Sequence, residues 1–184
     1  MKFKVLFAML IVFLLLTTYA ILASCNHKKT VLNATDLPSG YYPGNTMDDK
    51  EKGFSAFTEY YTSMSPSTRN YYNKKYGSLI KAPPSSTIGV VRYYSDKGFT
   101  DEFIESEKGS TYHPGWIKTT PGGKVLGDKC YSLCRKYEDG SELIKVIIVK
   151  KRALCVISIN NQKNSKSISK ESAEKLIETI YSRL

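Results

Sequence analysis

Histidine is nearly missing from this chain of 184 residues. His27 and His113 are the only two, and Trp116 is the only tryptophan. No Gly-x-Ser-x-Gly occurs, which removes the nucleophile elbow of the α/β hydrolases. Pro121-Gly122-Gly123-Lys124 lacks the Gly-Lys-Ser/Thr ending of a phosphate-binding loop and reads as a turn. Asp48-Asp49 is not followed by EF-hand spacing; these acids suit the N-terminus of an adjacent helix. Cys130 and Cys134 with His113 form the one zinc-like set, but cysteines on a strand are more often plain buried thiols. Asp101, Glu102, Glu105 and Glu107 crowd one segment, where they cap a helix start rather than flank a glycosidase cleft. No Lys/Arg cluster is longer than Lys150-Lys151-Arg152, and no repeat is present. No cofactor and no bound metal are expected.

Apolar residues concentrate at the N-terminus. After Lys2 and Lys4, Val5–Ser24 is 20 residues without a charge, and Val5–Leu16 is unbroken apolar. That length fits a secretory signal and also reaches the span of a bilayer core, about 20 helical residues. Leu22-Ala23-Ser24-Cys25 resembles the bacterial lipobox. The resemblance implies that the Cys25 thiol receives diacylglycerol and becomes the mature N-terminus; an uncleaved helical anchor is the alternative. Both readings place the body outside the membrane, facing outward. His27-Lys28-Lys29 follows the run, so charge stands on both sides and gives little bias in orientation. Asn33-Ala34-Thr35 is a glycosylation acceptor pattern. The expected organisation is a signal or anchor over 1–24, a tether and irregular lead-in over 25–46, and one domain over 47–184.

The chain has 27 basic and 17 acidic residues, +10 overall; without the leader lysines the body holds 25 against 17, or +8. Such a surface attracts anionic partners: lipid headgroups, an anionic envelope polymer, or another envelope protein. An outward address argues against nucleic acid.

Phe54, Phe57, Tyr61 and Met64 recur at helical spacing and predict a helix within Asp48–Met64. Ser65-Pro66 supplies an N-cap and an N1 proline for a second helix ending at Gly77. Thr87–Tyr94 reads as a strand and Thr100–Glu107 as a helix. Lys129–Tyr137, Leu143–Val149 and Ala153–Asn160 read as three strands, with Asp139-Gly140 as a hairpin turn. Ser169 caps a last helix whose Ala173, Leu176, Ile177, Ile180 and Leu184 share one face. The expected fold is α+β: a C-terminal three-stranded antiparallel meander packed on a C-terminal amphipathic helix, with a helical N-terminal segment. Two-residue turns at 139–140 and 151–152 would align Tyr131, Ile148 and Cys155 on the helix-facing side. Cys130 and Cys134 would then face away, so no disulfide is expected within the meander.

The segment "GDKCYSLCRKYEDGSELIKVIIVKKRALCVISINNQ", followed by "SKESAEKLIETIYSRL", resembles the end of PsbP-like domains. In that family a charged turn and a basic turn separate three strands that lead to a C-terminal helix. The resemblance covers about a third of the chain and implies a non-enzymatic accessory or binding module, often secreted or membrane-attached.

Tyrosine is abundant, with doublets at 41–42, 60–61, 71–72 and 93–94. An apolar ring with a wet tip suits contact surfaces. Tyr93, Tyr94 and Trp116 are the candidate binding surface. The leading reading is a membrane-tethered extracytoplasmic binding or accessory domain without catalysis. The alternatives are a small secreted hydrolase using His113 with a nearby Ser or Cys, and a structural envelope protein.

Overall fold

The computed structural model describes residues 30–51, 53–109 and 115–184. Val31–Leu184 forms one compact unit. Its elements are β1 (Tyr42–Glu51), β2 (Phe54–Thr62), helix α1 (Pro66–Tyr76), β3 (Thr87–Tyr94), helix α2 (Asp101–Lys108), β4 (Lys129–Lys136), β5 (Glu142–Lys150), β6 (Ala153–Asn161) and helix α3 (Lys170–Ser182). The strands form a six-stranded sheet in the order β1-β2-β3-β6-β5-β4, with every neighbouring pair antiparallel.

This architecture corrects the expected three-stranded meander on a helix with a helical N-terminal segment. Among the described residues the fold is mostly sheet, with three short helices. The misreading lies in residues 48–64, which supply most of the hairpin β1–β2. Phe57 and Tyr61 are four apart, a separation that fits one helical turn and two strand dipeptides equally well. In the sheet they share a face with Glu59 between them, while Phe54 packs against Tyr93 and Phe103 on the opposite face. A charged residue at an inward strand position hid the alternation.

Each sheet face has a cover. On one, Ile88 and Val90 of β3, Cys155, Ile157 and Ile159 of β6, and Ile144, Val146 and Ile148 of β5 pack with Ala173, Leu176, Ile177 and Ile180 of α3. On the other, Ile147, Val149, Leu154 and Val156 pack with Ile104 of α2, joined by Phe103, Trp116 and Tyr131. Asn161 fixes the loop before α3: its side chain donates to the Ile168 carbonyl (3.0 Å) and accepts from the Ile168 amide (2.9 Å).

The β5–β6 register is the expected one, with Ile148 opposite Cys155 and Val146 opposite Ile157. The β4–β5 register differs by one residue: Cys130, not Tyr131, lies opposite Ile148. Tyr137 and Ser141 bond across a three-residue turn, 138–140, that ends on Gly140 at φ +84°. A left-handed residue closing a three-residue hairpin is the favoured geometry for that length. A one-residue slip exchanges the faces of a whole strand. Cys130 is therefore buried on the α3 side with Cys155, and Tyr131 packs under α2.

Residues 31–41, part of the stretch 25–46 read from sequence as a tether and irregular lead-in, contribute Val31, Leu32 and Tyr41 to the α3-side core. Their polar groups are held by charged side chains. The Val31 amide donates to both Glu59 oxygens (3.0 and 2.9 Å), and the Val31 carbonyl accepts from Arg183 Nη1 (2.7 Å). Arg183 also grips Asp36 with both terminal nitrogens (2.6 and 3.0 Å). Asp36 is thereby held below the usual aspartate range, first by this bond to Arg183 and then by the Asn33 amide.

Glu59 itself is fully buried and Arg92 nearly so. Arg92 Nη2 donates to Glu59 Oε1 at 2.7 Å, the Tyr61 hydroxyl donates to Oε2, and Phe57 lies under the guanidinium at 5.1 Å. A buried charge is tolerated only when it is paired and hydrogen-bonded. Glu59→Ala and Arg92→Ala are each expected to lower the urea unfolding free energy by about 3–5 kcal/mol, since each leaves the other charge stranded. The double variant should cost less than the sum of the two. Tyr61 is displaced upward from the ordinary tyrosine range, by burial first and then by Glu59. The unfolded chain loses that proton at about pH 10 while the fold retains it, so stability falls as pH rises above 10. Tyr61→Phe is expected to flatten that alkaline loss in urea titrations.

Candidate interaction surface

The residues singled out by sequence do not gather at one place. Cys25 and His113 lie outside the described residues. Asn33 is exposed, in a turn where its amide donates to Asp36 Oδ2 at 2.6 Å. Tyr93 and Tyr94 point to opposite sheet faces, as successive strand residues must. Tyr93 meets Phe54, Phe99 and Phe103 edge-on at 5.6, 6.4 and 5.3 Å, and its hydroxyl donates to Glu107 at 3.0 Å. Trp116 packs on the same cluster. Tyr94 lies on the α3 side, where burial raises its pKa. Tyr93 and Trp116 therefore serve the packing under α2, and the three rings share no surface.

Among the described residues no three His, Cys, Asp or Glu side chains are placed to hold a metal. Cys130, Cys134 and Cys155 are free thiols. Cys130 and Cys155 share a face but are separated by Ile148 of β5. Two strand spacings, about 9.6 Å, exceed the reach of a disulfide. Burial pushes the Cys155 thiol up to about 12 and raises Cys130 and Cys134 as well. A thiol that stays protonated is a poor nucleophile. Residues 35–38 and α3 border a groove of about 410 Å³, but Asp36, its one carboxylate on that segment, is already taken by Arg183.

A different region stands apart. β2 and β3 are adjacent antiparallel strands, which two to five residues could join. The chain instead places residues 63–86 between them. The base of this excursion is pinned shut. The Ser63 amide donates to the Ser86 carbonyl (3.0 Å), and the Ser86 amide donates to the hydroxyls of Ser63 (3.0 Å) and Ser165 (2.9 Å). Above it stands α1. Ser65 caps it by accepting from the Thr68 amide, Pro66 opens it, and Gly77 at φ +68° ends it. Sequence alone indicates this helix through those signals.

No residue of α1 is buried. A helix that is polar all round and covers no core is held by its caps and by contacts between its own side chains. Tyr72 and Tyr76 stack at 5.8 Å, and Tyr71 meets Tyr72 edge-on at 5.2 Å. Lys75 Nζ lies 5.3 Å from the Tyr71 and Tyr76 ring centres and donates to the Tyr71 hydroxyl at 2.8 Å; Lys81 Nζ lies 5.0 Å from the Tyr76 ring. Those tyrosine hydroxyls raise the Lys75 pKa, so its charge persists. Arg69 fastens the helix to the sheet by donating to the Pro43 carbonyl at 2.9 Å. Tyr71, Tyr76 and Leu79 are exposed, and Ile80 is 91 % exposed. Residues 66–81 contain four cations, Arg69, Lys74, Lys75 and Lys81, and no acid; the nearest acids in sequence are Glu59 and Asp96. The signal for this surface was present in the sequence as a missing charge sign, which counting Lys/Arg clusters overlooks.

No family model, curated protein or solved structure matches the chain.

The three body cysteines give a direct check on the packing. At pH 8, a maleimide is expected to modify exposed Cys134 in the folded protein, and to reach Cys130 and Cys155 only after denaturation, read site by site by peptide mass.

Proposed function

We propose that this chain is a membrane-tethered, outward-facing binding or accessory module without catalysis, and that its working surface is α1 with the turn after it. One observation carries the choice of surface. A 24-residue excursion between strands that need only a short turn holds out a helix that buries none of its residues. Exposed aromatic and cationic side chains without acids suit an anionic partner. The apolar segment Val5–Ser24 and the lipobox-like Leu22–Cys25 support the tether. So does Val31, where the described body begins to pack: its amide is gripped by the buried Glu59 carboxylate and its carbonyl by the Arg183 guanidinium at the surface. Tension arriving along the chain from the N-terminal side would meet charge-assisted bonds there, which are stronger than neutral ones.

Replacing Lys74, Lys75 and Lys81 by Glu is expected to weaken retention on anionic envelope material at least tenfold at low salt. The urea midpoint of the sheet should stay unchanged, because α1 lies outside both core clusters and the lost Lys75 and Lys81 contacts are confined to the excursion. Unchanged retention would remove the surface from the proposal. Intact mass of the chain recovered from membranes tests the tether: either a Cys25 start with added acyl mass or retention of residues 1–24 supports it, and recovery of a soluble, unacylated body contradicts it.

A further inference from the structure

We infer that α1 and its turn seat on the surface of an anionic lipid bilayer, with Leu79 and Ile80 entering the headgroup layer. This rests on the proposal that α1 is the working surface, and it names the partner. Charge alone would also admit a hydrated polyanion. The aliphatic tip decides between them. Ile80 is 91 % exposed and Leu79 41 %. They stand between Tyr76 and Lys81 in the sequence, on a turn opened by Gly77. A water-soluble polyanion offers these side chains no apolar environment, whereas the boundary between headgroups and acyl chains does.

The surroundings have the composition of an interfacial contact. Tyr71, Tyr72 and Tyr76 form a cluster of rings in contact beside the tip, and amphipathic rings settle at headgroup level. Lys74, Lys75 and Lys81 ring the same end of the helix, with basic residues in its last turn and no acid in its first. Lysine stems can lie along apolar surface while their heads reach the phosphates. Anionic lipid adds attraction to each such cation, and the attraction fades with salt. The serine-pinned base at Ser63 and Ser86 and the Arg69 bond to Pro43 fix the excursion to the sheet. The tip is thus presented by a rigid body rather than by a free loop.

The test is hydrogen exchange, read by peptide mass, on the full chain with phosphatidylcholine vesicles that contain or lack phosphatidylglycerol. Amides of residues 77–81 are expected to exchange at least about fivefold more slowly with the anionic vesicles only. Added salt should abolish that slowing, as should charge reversal at Lys74, Lys75 and Lys81. Ile80→Ser should also lose most of it, and a side chain so exposed can be changed without risk to folding. Equal exchange in both vesicle types would overturn the inference. Equal slowing with dextran sulfate, unaffected by Ile80→Ser, would assign the surface to a polyanion and overturn it too. Flotation with pure phosphatidylcholine vesicles reports on the N-terminal anchor alone, so loss of the tether and loss of the lipid-seated tip give separate readings.

Discussion

Glu59 places a negative charge at a point with no exposed surface, between the second strand and the segment that leads into the domain. The arrangement around it follows from that charge. Arg92 must come from the neighbouring strand, the Tyr61 hydroxyl from the same strand two residues on, and an amide from outside the sheet at Val31. Three separate pieces of backbone, β2, β3 and the segment at Val31, are fixed by one carboxylate. An apolar residue at this position could tolerate a strand slip of two residues; a carboxylate cannot, since its partners have single positions. Register of β2 against β3, and the docking of residues 31–41, therefore share one cause. Arg183 closes the other side of Val31 and joins the last residues of the chain to the first ones of the fold.

The same feature explains what the sequence did and did not disclose. The C-terminal strands and α3 were legible because β5 and β6 are dense in β-branched and apolar residues between turn signals, and α3 keeps one helical apolar face. α1 was legible from its cap, its proline and its terminal glycine. β1 and β2 were not. A glutamate at the central inward position breaks the apolar alternation, and the four-residue gap between Phe57 and Tyr61 then favours a helical reading. Its partner Arg92 lies 33 positions further on, beyond any window used to judge periodicity. The face of Cys130 was misassigned for a smaller reason: Asp139-Gly140 signals a turn but not whether two or three residues close it. Tyr93, Tyr94 and Trp116 suit binding as aromatic residues, but Tyr93 and Trp116 pack beneath α2 and Tyr94 lies on the opposite face. The surface that is left uncovered is marked by composition, lysine and tyrosine without acid, and not by any motif.

Rigidity and exposure are divided between parts of the molecule. The sheet is covered on both faces, by α3 and the N-terminal segment on one side and by α2 with the 115–120 loop on the other. The 63–86 excursion contributes little to that core, and its side chains are free of the constraints that core packing imposes. Such a division suits a module whose body holds a small contact surface in place. In the proposed function, the leader decides where the module sits and the excursion decides what it touches.

The dependence of the fold on the Glu59 carboxylate is tested most directly by native-state hydrogen exchange resolved at single amides. The Val31 amide is expected to exchange only through global unfolding, with the same opening free energy as core-strand amides such as Val90 and Ile157. Exchange of Val31 through local fraying, at a free energy well below that of the sheet, would show that the N-terminal segment is not held by the buried charge and would contradict the account.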